Sequence, residues 1–437
     1  MSKVLFHVTN IPTFSTSIGY IYEIARQHRV VLLTEKIDDS VVRILSDKSV
    51  FPGLEQITVF ESAFGGNIFT KNYRLHTILK KTIKSFQPDI VFAPSDMWPA
   101  EMYLLRLAKR MGSATVALQS GFKIAEQKQL FRRSYLVNAY NRAPGFLPLS
   151  MRIMLVKLKK WAGYALYHCM FPFFVGERPF LGKTSFLFWN ESSGKRDADY
   201  VAVFSKRDRS ICVQDGISAE KIIVLGHPLE HKETRNFLGK MYFSDDNMVM
   251  NSKIVTIMWS AERTGLKRQD NSFISENQMD TNSQRMVHLI AEKLQGWRIF
   301  IKPYPFRFGA KTALEIQEFL MPVPQNISVV DPSEPAEKYI GMSNVIIGIP
   351  PASTTLFTAS KKYPEKIILS INLNDELLGD SYKDFEGIEY IDTEEKLIEI
   401  LDSIREETYT KQQAPLAQFD FDNAAELVNY IYAKRIS

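Results

Sequence analysis

The sequence is poor in cysteine and lacks the glycine-rich loops of the commonest nucleotide chemistries. Only Cys169 and Cys212 occur among 437 residues, too few for a disulfide framework or a cysteine-based zinc site. We therefore expect a reducing, cytoplasmic setting. The sequence contains neither a Walker loop nor a Gly-X-Gly-X-X-Gly motif, which argues against nucleoside-triphosphate hydrolysis and dinucleotide redox chemistry.

Long hydrophobic runs are also missing. The longest uncharged apolar stretch, Trp161 to Gly176, has 16 residues and is interrupted by Pro172, whereas a bilayer-spanning helix needs ~20. The first ten residues turn polar too soon for a secretory signal. We therefore expect no membrane-spanning segment and no targeting signal.

The composition is that of an ordinary globular protein with unevenly distributed charge. Hydrophobic residues make up 45% and charged residues 24% of the chain, enough for a sizeable core in each of two or three domains. Residues 123–189 contain eleven basic and two acidic residues, a net charge of +9, so the remainder carries −4 of the overall +5. Such local charge predicts a local anionic partner rather than a nucleic acid.

The first 122 residues alternate apolar strand-like runs with helical stretches. Strands are predicted at Val4–Val8, Val30–Thr34, Ile90–Ala93 and Ala114–Leu118. Continuous apolar runs are typical of strands buried on both faces of a parallel sheet. Residues 1–122 are therefore predicted to form a doubly wound α/β domain.

A second alternation follows the polar stretch 190–196. It begins with predicted strands at Tyr200–Phe204 and Ile222–Leu225 and continues through Ile254–Met258, Arg298–Ile301 and Val345–Ile347. We therefore predict a second parallel α/β domain over residues 197–415 and a carboxyl-terminal helix within 416–437. Ligands of such sheets bind beyond the carboxyl ends of the strands, so two facing sheets would share a cleft.

Residues 123–196 are predicted to be a basic, aromatic insertion of the first domain that associates with a membrane. On a helical wheel, Met151, Met154, Leu155, Leu158 and Trp161 share one side, and Arg152, Lys157, Lys159 and Lys160 occupy the other. Two interpretations stay open. The helix either packs its apolar side on the core, or lies on an anionic membrane, helped by the run Phe171-Pro172-Phe173-Phe174.

Three polar motifs each follow a predicted strand of the second half. They are Gly226-His227-Pro228, Lys302-Pro303-Tyr304-Pro305 and the helix start Ser353-Thr354-Thr355. A helix amino terminus presents free N–H groups to a phosphate, and a lysine on a neighbouring strand end adds positive charge. Gly226-His227-Pro228 has an alternative role as a simple turn.

These motifs resemble those of a known enzyme group. The run Ala198 to Ser205, followed by Lys221 to Pro228, is similar to the donor-domain entry of GT-B glycosyltransferases that build bacterial surface polysaccharides such as capsule and lipopolysaccharide. Similar patterns occur in glycerophosphotransferases of teichoic acid synthesis, sialyltransferase-like enzymes and nucleotide-sugar 2-epimerases. Lys302-Pro303-Tyr304-Pro305 resembles their Lys-Pro-His-Pro motif. Gln119-Ser120-Gly121 resembles their Gln-His-Gly turn.

The resemblance implies a GT-B fold, with two facing Rossmann-like domains and a cleft between them. It implies that the second domain binds a nucleotide-activated sugar as substrate, without metal or further cofactor, through Gly226, His227, Arg263, Lys302, Tyr304, Ser353, Thr354 and Thr355. Gln119 and Ser120 would lie on the acceptor side. Tyr304 and Ser120 replace family histidines, and Arg263 has an alternative role in a surface salt bridge.

An inverting transfer needs a base, for which the first domain offers two residues. Asp96 follows the strand Ile90–Ala93, and His7 lies near the end of the first strand. Asp96 has an alternative role as a helix cap, and His7 as a packed core residue. Asp197-Ala198-Asp199 matches the Asp-X-Asp motif of metal-dependent transferases, but it precedes a strand, so we predict no metal site there.

These inferences favour a glycosyltransferase peripheral to the inner face of the cytoplasmic membrane. Its acceptor would be a lipid-linked or growing surface glycan, and the basic segment would concentrate the enzyme at the anionic leaflet. One alternative is a nucleotide-sugar 2-epimerase or hydrolase with a small soluble substrate. Another is a non-catalytic GT-B scaffold of a polysaccharide synthase complex.

Overall fold

The computed structural model describes most of the chain, with gaps mainly in connecting segments. The described residues are 1–11, 16–37, 39–60, 68–94, 99–119, 148, 150–151, 154–155, 158, 197–242, 253–259, 276–303, 313–334, 336–349, 354–373, 385, 387–411 and 419–436. They form two compact units. The first is built mainly from residues 1–119, 197–242 and 419–436, and the second from residues 253–411.

The first unit contains a seven-stranded parallel sheet in the order β3-β2-β1-β4-β5-β6-β7. Its strands are β1 Lys3–Ile11, β2 Arg29–Ile37, β3 Leu54–Val59, β4 Ile90–Ala93, β5 Ala114–Leu118, β6 Tyr200–Val203 and β7 Ile222–Val224. The order reverses between β1 and β4, which is the pattern of a doubly wound sheet.

The second unit contains a six-stranded parallel sheet in the order β10-β9-β8-β11-β12-β13. Its strands are β8 Ile254–Trp259, β9 Arg298–Pro303, β10 Ile327–Val329, β11 Val345–Ile349, β12 Ile367–Ile371 and β13 Glu389–Ile391. In chain order this is 3-2-1-4-5-6, the strand order of the Rossmann fold.

Helices connect the strands of both sheets as crossovers. They are α1 Thr16–Ala25, α2 Asp39–Leu45, α3 Ile68–Phe86, α4 Pro99–Arg110, α5 Lys206–Gln214, α6 Lys232–Tyr242, α7 Glu276–Lys293, α8 Ala313–Phe319, α9 Ala336–Met342, α10 Thr354–Lys362, α11 Glu394–Arg405 and α12 Ala424–Ile436. Short 3₁₀ helices span Ala219–Lys221 and Pro228–Glu230. Among the described residues, no helix is long and apolar enough to cross a bilayer.

Each sheet packs its apolar side chains against the crossover helices. In the first unit, Leu79 of α3 and Leu104 of α4 cover Leu5 and Val91 of the sheet. The four residues of β4 are all buried, as the continuous apolar run Ile90–Ala93 predicts. The expected α/β class with doubly wound domains is therefore confirmed.

The second core follows the same principle. Ile290 of α7 and Leu397 of α11 pack with Ile257 of β8 and Ile347 of β11, and all four side chains are fully buried. Helix α11 begins after Thr393, whose hydroxyl accepts the backbone N–H of Lys396 at 3.2 Å. This cap satisfies one of the N–H groups that a helix start leaves without an internal partner.

The border between the sheets differs from the prediction of a second domain over residues 197–415. Strand β6 pairs with β5 and strand β7 with β6, so both extend the first sheet. The Thr115 N–H and hydroxyl also bond Asp199 at 3.0 and 2.8 Å. A strand-helix-strand pattern is the same in either sheet, and these long-range pairings decide which sheet it joins.

The carboxyl-terminal helix also returns to the first unit. A helix was predicted within 416–437, and α12 spans Ala424–Ile436 and packs against α1. The backbone N–H of Ala424 donates to Glu23 Oε2 at 2.8 Å. The insertion predicted over residues 123–196 lies outside the described residues except for Pro148, Ser150, Met151, Met154, Leu155 and Leu158.

Candidate functional site

The strand order of the second sheet contains a switch point, the place where parallel α/β sheets commonly bind ligands. Strands β8 and β11 are neighbours, but the chain continues from them to opposite sides of the sheet. Loops leaving such a switch point diverge beyond the carboxyl ends of the strands and open a crevice there. Trp259 lies in register with both Pro303 and Ile349, so β8, β9 and β11 end at one level.

Helix α10 begins directly beyond this edge. Its nine residues start at Thr354, shortly after the end of β11 at Ile349. A helix start carries free N–H groups and the positive end of the helix dipole, and both favour a phosphate. Thr355 is half-buried in this first turn. Ser353, the preceding predicted phosphate ligand, lies outside the described residues.

Gly348 allows α10 to approach the sheet closely. A Cβ atom at this position would lie 2.4 Å from Cδ1 of Leu356, a distance that side chains do not adopt. Leu356 is fully buried, which limits its freedom to move aside. The small residue therefore fixes the position of the helix start relative to the end of β11.

Lys302, at the end of β9, is buried and already bonded. Its Nζ donates to the carbonyls of Pro303 at 2.9 Å and Pro332 at 2.8 Å. Burial lowers the pKa of Lys302, and the carboxylates of Asp331 and Glu334 oppose that shift. Because an ammonium has three N–H donors, two serve the protein and one can serve a ligand.

Of the other four residues predicted for the donor site, the structure describes two. Arg263 and Tyr304 lie outside the described residues. Gly226 and His227 follow β7 and therefore belong to the first unit, not to the second as predicted, because β7 pairs with β6. Their contact with a donor stays a prediction.

Gly226 occupies a tight turn that only glycine fits. Its φ is +83°, and an added Cβ would lie 2.7 Å from the ring of Phe419. The Tyr20 hydroxyl donates to the Gly226 carbonyl at 2.7 Å. The turn is therefore held from α1 and from the segment before α12.

His227 joins this turn to the start of α1. Its Nδ1 accepts the backbone N–H of Leu229 at 3.2 Å, so the proton lies on Nε2, which is 3.1 Å from the Thr16 hydroxyl. The imidazole is buried and contacts Phe204 edge to face. These contacts are those of an anchor between two elements.

A buried ionic network beside the turn was missed by the sequence analysis. Glu23 Oε1 is 2.6 Å from His231 Nδ1 and accepts the Thr234 hydroxyl at 2.5 Å. His231 Nε2 lies 2.9 Å from the Leu225 carbonyl. The one signal available in the sequence is a glutamate inside the apolar run of α1.

Of the two residues predicted on the acceptor side, the structure describes Gln119. Gln119 is buried at the end of β5, where its Oε1 accepts the Phe204 N–H at 3.0 Å. Its Nε2 has no hydrogen-bond partner among the described residues. Ser120 lies outside them. Gln119 therefore joins the ends of β5 and β6 beside the histidine anchor.

Of the two candidate bases, the structure describes the surroundings of His7. Asp96 lies outside the described residues. His7 lies in the middle of β1, not near its end, and its ring stacks on Phe60 with centroids 5.8 Å apart. Burial lowers the pKa of His7 to about 4, although a hydrogen bond to the Leu33 backbone opposes the shift. This environment is that of a packed core histidine.

The Asp-X-Asp sequence has structural partners. Asp197 accepts from Arg106 Nε at 2.9 Å, and Asp199 bonds Thr115 and pairs with Lys109 at 2.7 Å. Both carboxylates thereby attach the chain before β6 to the β5 side of the sheet. Within the described ranges, no group of three metal-ligating side chains is present.

The residues predicted to touch a membrane lie almost wholly in the undescribed insertion. Arg152, Lys157, Lys159, Lys160 and Trp161 are outside the described residues. Their neighbours on the apolar side of the predicted helix, Met151, Met154, Leu155 and Leu158, are described, helical and exposed.

Solved structures share this architecture over nearly the whole chain. UDP-GlcNAc 2-epimerase from Neisseria meningitidis, bound to UDP-GlcNAc, matches with a TM-score of 0.55 and 12% identity over 99% of this chain and 100% of its own. The UDP-GlcNAc 2-epimerase from Methanocaldococcus jannaschii gives 0.54 and 12% over 99% of each chain. The glycotransferase of kitacinnamycin gives 0.52 and 12% over 99% of each.

At this identity the likenesses establish the fold. The chain has the GT-B fold with two Rossmann-like domains, as expected, and these neighbours are enzymes. No protein-family model and no curated protein matches the sequence.

Proposed function

We propose that the protein is an enzyme of nucleotide-sugar metabolism that binds a uridine diphosphate sugar at the carboxyl edge of the second sheet. The observation that carries the proposal is the start of α10, held against β11 by the close contact of Gly348 with Leu356. Structural neighbours that bind UDP or UDP-GlcNAc support this choice of nucleotide.

The reaction that we favour is 2-epimerisation or hydrolysis of a UDP-N-acetylhexosamine. Hydrolysis, and epimerisation by elimination, break the bond between the anomeric carbon and the diphosphate, so negative charge grows on the diphosphate. N–H groups at the α10 start, together with the remaining N–H of Lys302, would stabilise that charge. Several of the structural neighbours are UDP-GlcNAc 2-epimerases, which supports this reaction over transfer.

The test is to incubate the purified full chain with UDP-GlcNAc and to follow the products by NMR and anion-exchange chromatography. We expect the 2-epimer, or UDP with free sugar. Gly348→Ala should weaken UDP binding in calorimetry, because the new methyl group displaces Leu356 and the helix start. A folded wild-type protein that neither binds UDP nor alters UDP-GlcNAc would overturn the proposal.

Gly341→Ala is the matched control for this substitution. Gly341 lies in α9 of the same domain, and its added Cβ would meet only the Tyr363 hydroxyl, at 3.5 Å. This variant should retain wild-type UDP affinity. An equal loss in both variants would show that any glycine change in this domain disturbs binding, and the α10 assignment would fail.

A second candidate, transfer of the sugar to a lipid-linked glycan, is favoured by the basic segment of residues 123–189. Its net charge of +9 and fourteen aromatic residues suit an acceptor at an anionic membrane surface. Radiolabel passing from UDP-GlcNAc into a butanol-extractable lipid would support transfer. UDP binding without any turnover, with or without lipid, would favour the scaffold alternative.

A further inference from the structure

Two lysines at the carboxyl-terminal end of α10 share one tyrosine ring. Lys362 is the last residue of α10, and Lys366 immediately precedes β12. Each Nζ lies 4.2 Å from the centroid of the Tyr363 ring, so the two nitrogens cannot be further apart than twice that distance. Lys362 Nζ also donates to the Tyr363 hydroxyl. We call Lys362, Tyr363 and Lys366 the lysine–tyrosine cluster.

Lys366 is the buried member of this cluster, and its position is fixed by α9. Its Nζ donates to the carbonyl of Ile340 at 2.8 Å and to that of Gly341, and only 6% of the residue is exposed. Carbonyls at the end of a helix lack internal partners and favour a cation. Burial lowers the pKa of Lys366 to about 8, although Glu365 opposes the shift. The ammonium is therefore still charged at neutral pH.

Lys362 is half-buried beside that fixed charge. Burial, and after it the charge of Lys366, lower the pKa of Lys362 to about 6, although Glu337 and Glu365 oppose the shift. Both causes disfavour a second ammonium beside the same ring. At neutral pH Lys362 is therefore mainly an uncharged amine, which is the nucleophilic form of lysine.

The charged groups around Lys362 come from each neighbouring element. Lys411, in the segment after α11, donates to the carbonyls of Pro364 at 2.7 Å and Lys366 at 2.8 Å. With it, the basic groups are three and the acidic groups two: Lys361, Lys366 and Lys411 against Glu337 and Glu365. This balance favours a small anionic reagent over a cationic one. Because Lys366 is buried, such a reagent reaches Lys362 more readily.

We propose that Lys362 is a covalent modification site, an amine that is acylated by a small acyl phosphate. The Nζ lone pair attacks the carbonyl carbon and forms an amide bond. The bond between that carbon and the phosphate oxygen breaks, phosphate leaves with the electron pair, and Nζ releases one proton to water. The amide cannot be protonated at neutral pH, so no second charge returns beside Lys366. The inference is independent of the UDP proposal, because Lys362 lies at the opposite end of α10 from the proposed phosphate contacts.

The experiment is to treat the full chain with acetyl phosphate over about pH 5 to 9 and to follow each lysine by mass spectrometry. Lys361 is the matched control, because it is adjacent, is also half-buried and lies in the same chymotryptic peptide, residues 358–363. At neutral pH we expect Lys362 to react about tenfold faster than Lys361 or more, since a lysine in water is almost wholly protonated there. The rate at Lys362 should level off above about pH 6.

A denatured sample and two variants test the cause of this reactivity. In urea the cluster is lost, so the preference for Lys362 should disappear. Lys366→Gln removes the like charge and should move the levelling-off to higher pH, whereas Lys366→Arg retains the charge and should keep the wild-type profile. Circular dichroism checks that both variants are folded.

Three results would overturn the proposal. The first is equal acetylation of Lys361 and Lys362 in the folded wild type. The second is a rate at Lys362 that rises steadily across the whole pH range. The third is a preference that persists in urea, which would assign the reactivity to local sequence. These results need only the wild-type chain, and an unchanged profile in folded Lys366→Gln would in addition refute the like-charge cause.

Discussion

Replacing Glu23 by glutamine tests whether the buried network holds the first domain together. The two carboxylate oxygens of Glu23 meet three groups: Oε1 meets His231 Nδ1 and the Thr234 hydroxyl, and Oε2 accepts the Ala424 N–H. These partners belong to the segment after β7, to α6 and to α12. One side chain on α1 therefore joins two distant parts of the chain, the stretch from His231 to Thr234 and the start of α12.

The expected cost follows from what glutamine presents to these donors. Its amide keeps one acceptor oxygen, but the NH₂ group faces a donor, and the buried His231 loses its counter-charge. Removing one partner of a buried ion pair typically costs about 3–5 kcal/mol. We expect Glu23→Gln to lower the free energy of unfolding of the first domain by about 3 kcal/mol, measured by urea denaturation and circular dichroism.

The pH dependence of stability provides a second, independent measurement. Burial lowers the pKa of His231, but the hydrogen bond and charge of Glu23, with the Leu225 carbonyl, outweigh it, so the pKa lies above the ordinary 6.5. A raised pKa stabilises the folded state fully below pH 6.5 and loses this effect as the pH rises through the folded value. The contribution of His231 to wild-type stability should therefore fall as the pH rises from 6.5 through the raised pKa.

Glu233→Gln is the control for this prediction. Glu233 pairs with Arg26 on the surface, where the two side chains are 76% and 46% exposed, and such pairs contribute below about 1 kcal/mol. Glu23→Gln should also flatten the decline in stability above pH 6.5, and Glu233→Gln should not. Equal stability losses in both variants, or an unchanged pH profile in Glu23→Gln, would refute the reasoning.

Two glycine substitutions follow from the packing. In Gly53→Ala the added Cβ would lie 1.9 Å from the His28 carbonyl oxygen, and a backbone atom cannot rotate away. We therefore expect the free energy of unfolding to fall by about 1–3 kcal/mol. A melting temperature equal to that of the wild type would contradict this prediction. Adding Leu356→Ala to Gly348→Ala removes the clashing atoms, so the double variant should recover part of the lost UDP affinity. If calorimetry shows that the effects of the two substitutions on UDP affinity simply add, the contact does not position the helix start.

Local sequence signals predict most strands of both sheets. The runs Ile90–Ala93 and Ala114–Leu118 coincide with β4 and β5. The runs Ile254–Met258 and Val345–Ile347 lie within β8 and β11, which extend one and two residues further. A strand covered on both faces requires a continuous apolar run, so the residues of each such strand are enough to predict it.

Which of the two sheets a strand joins cannot be predicted from the residues of that strand alone. Strand β6 is an apolar run that either sheet could accept, and its partner β5 precedes it by some eighty residues: Val116 lies in register with Tyr200. The polar stretch 190–196 indicates a boundary by composition, but composition carries no information about pairing. The prediction of a new domain from residue 197 was therefore wrong for the two strands that follow.

For the site as well, the sequence predicts which residue types follow the strands but not which partners they contact. Sequence reasoning found polar residues after strands, and Lys302 does end β9. It could not find that Lys302 bonds a carbonyl 30 positions away, or that His227 meets Thr16 across 211 positions. Such contacts depend on which strands are neighbours, so they follow only from the assembled sheets.

Lys302→Met separates the structural role of this lysine from its proposed role in phosphate binding. Methionine retains an unbranched apolar stem but leaves the buried carbonyls of Pro303 and Pro332 without the donor that they now have, at a cost of about 1–3 kcal/mol in stability. If the third N–H also binds the diphosphate, UDP affinity of the folded variant falls by tenfold or more, since a hydrogen bond to a charged group contributes about 1.5–3 kcal/mol. Calorimetry at a temperature where the variant is folded measures this second effect alone. We expect both losses, and an unchanged UDP affinity would assign Lys302 to the structure of the β9 edge only.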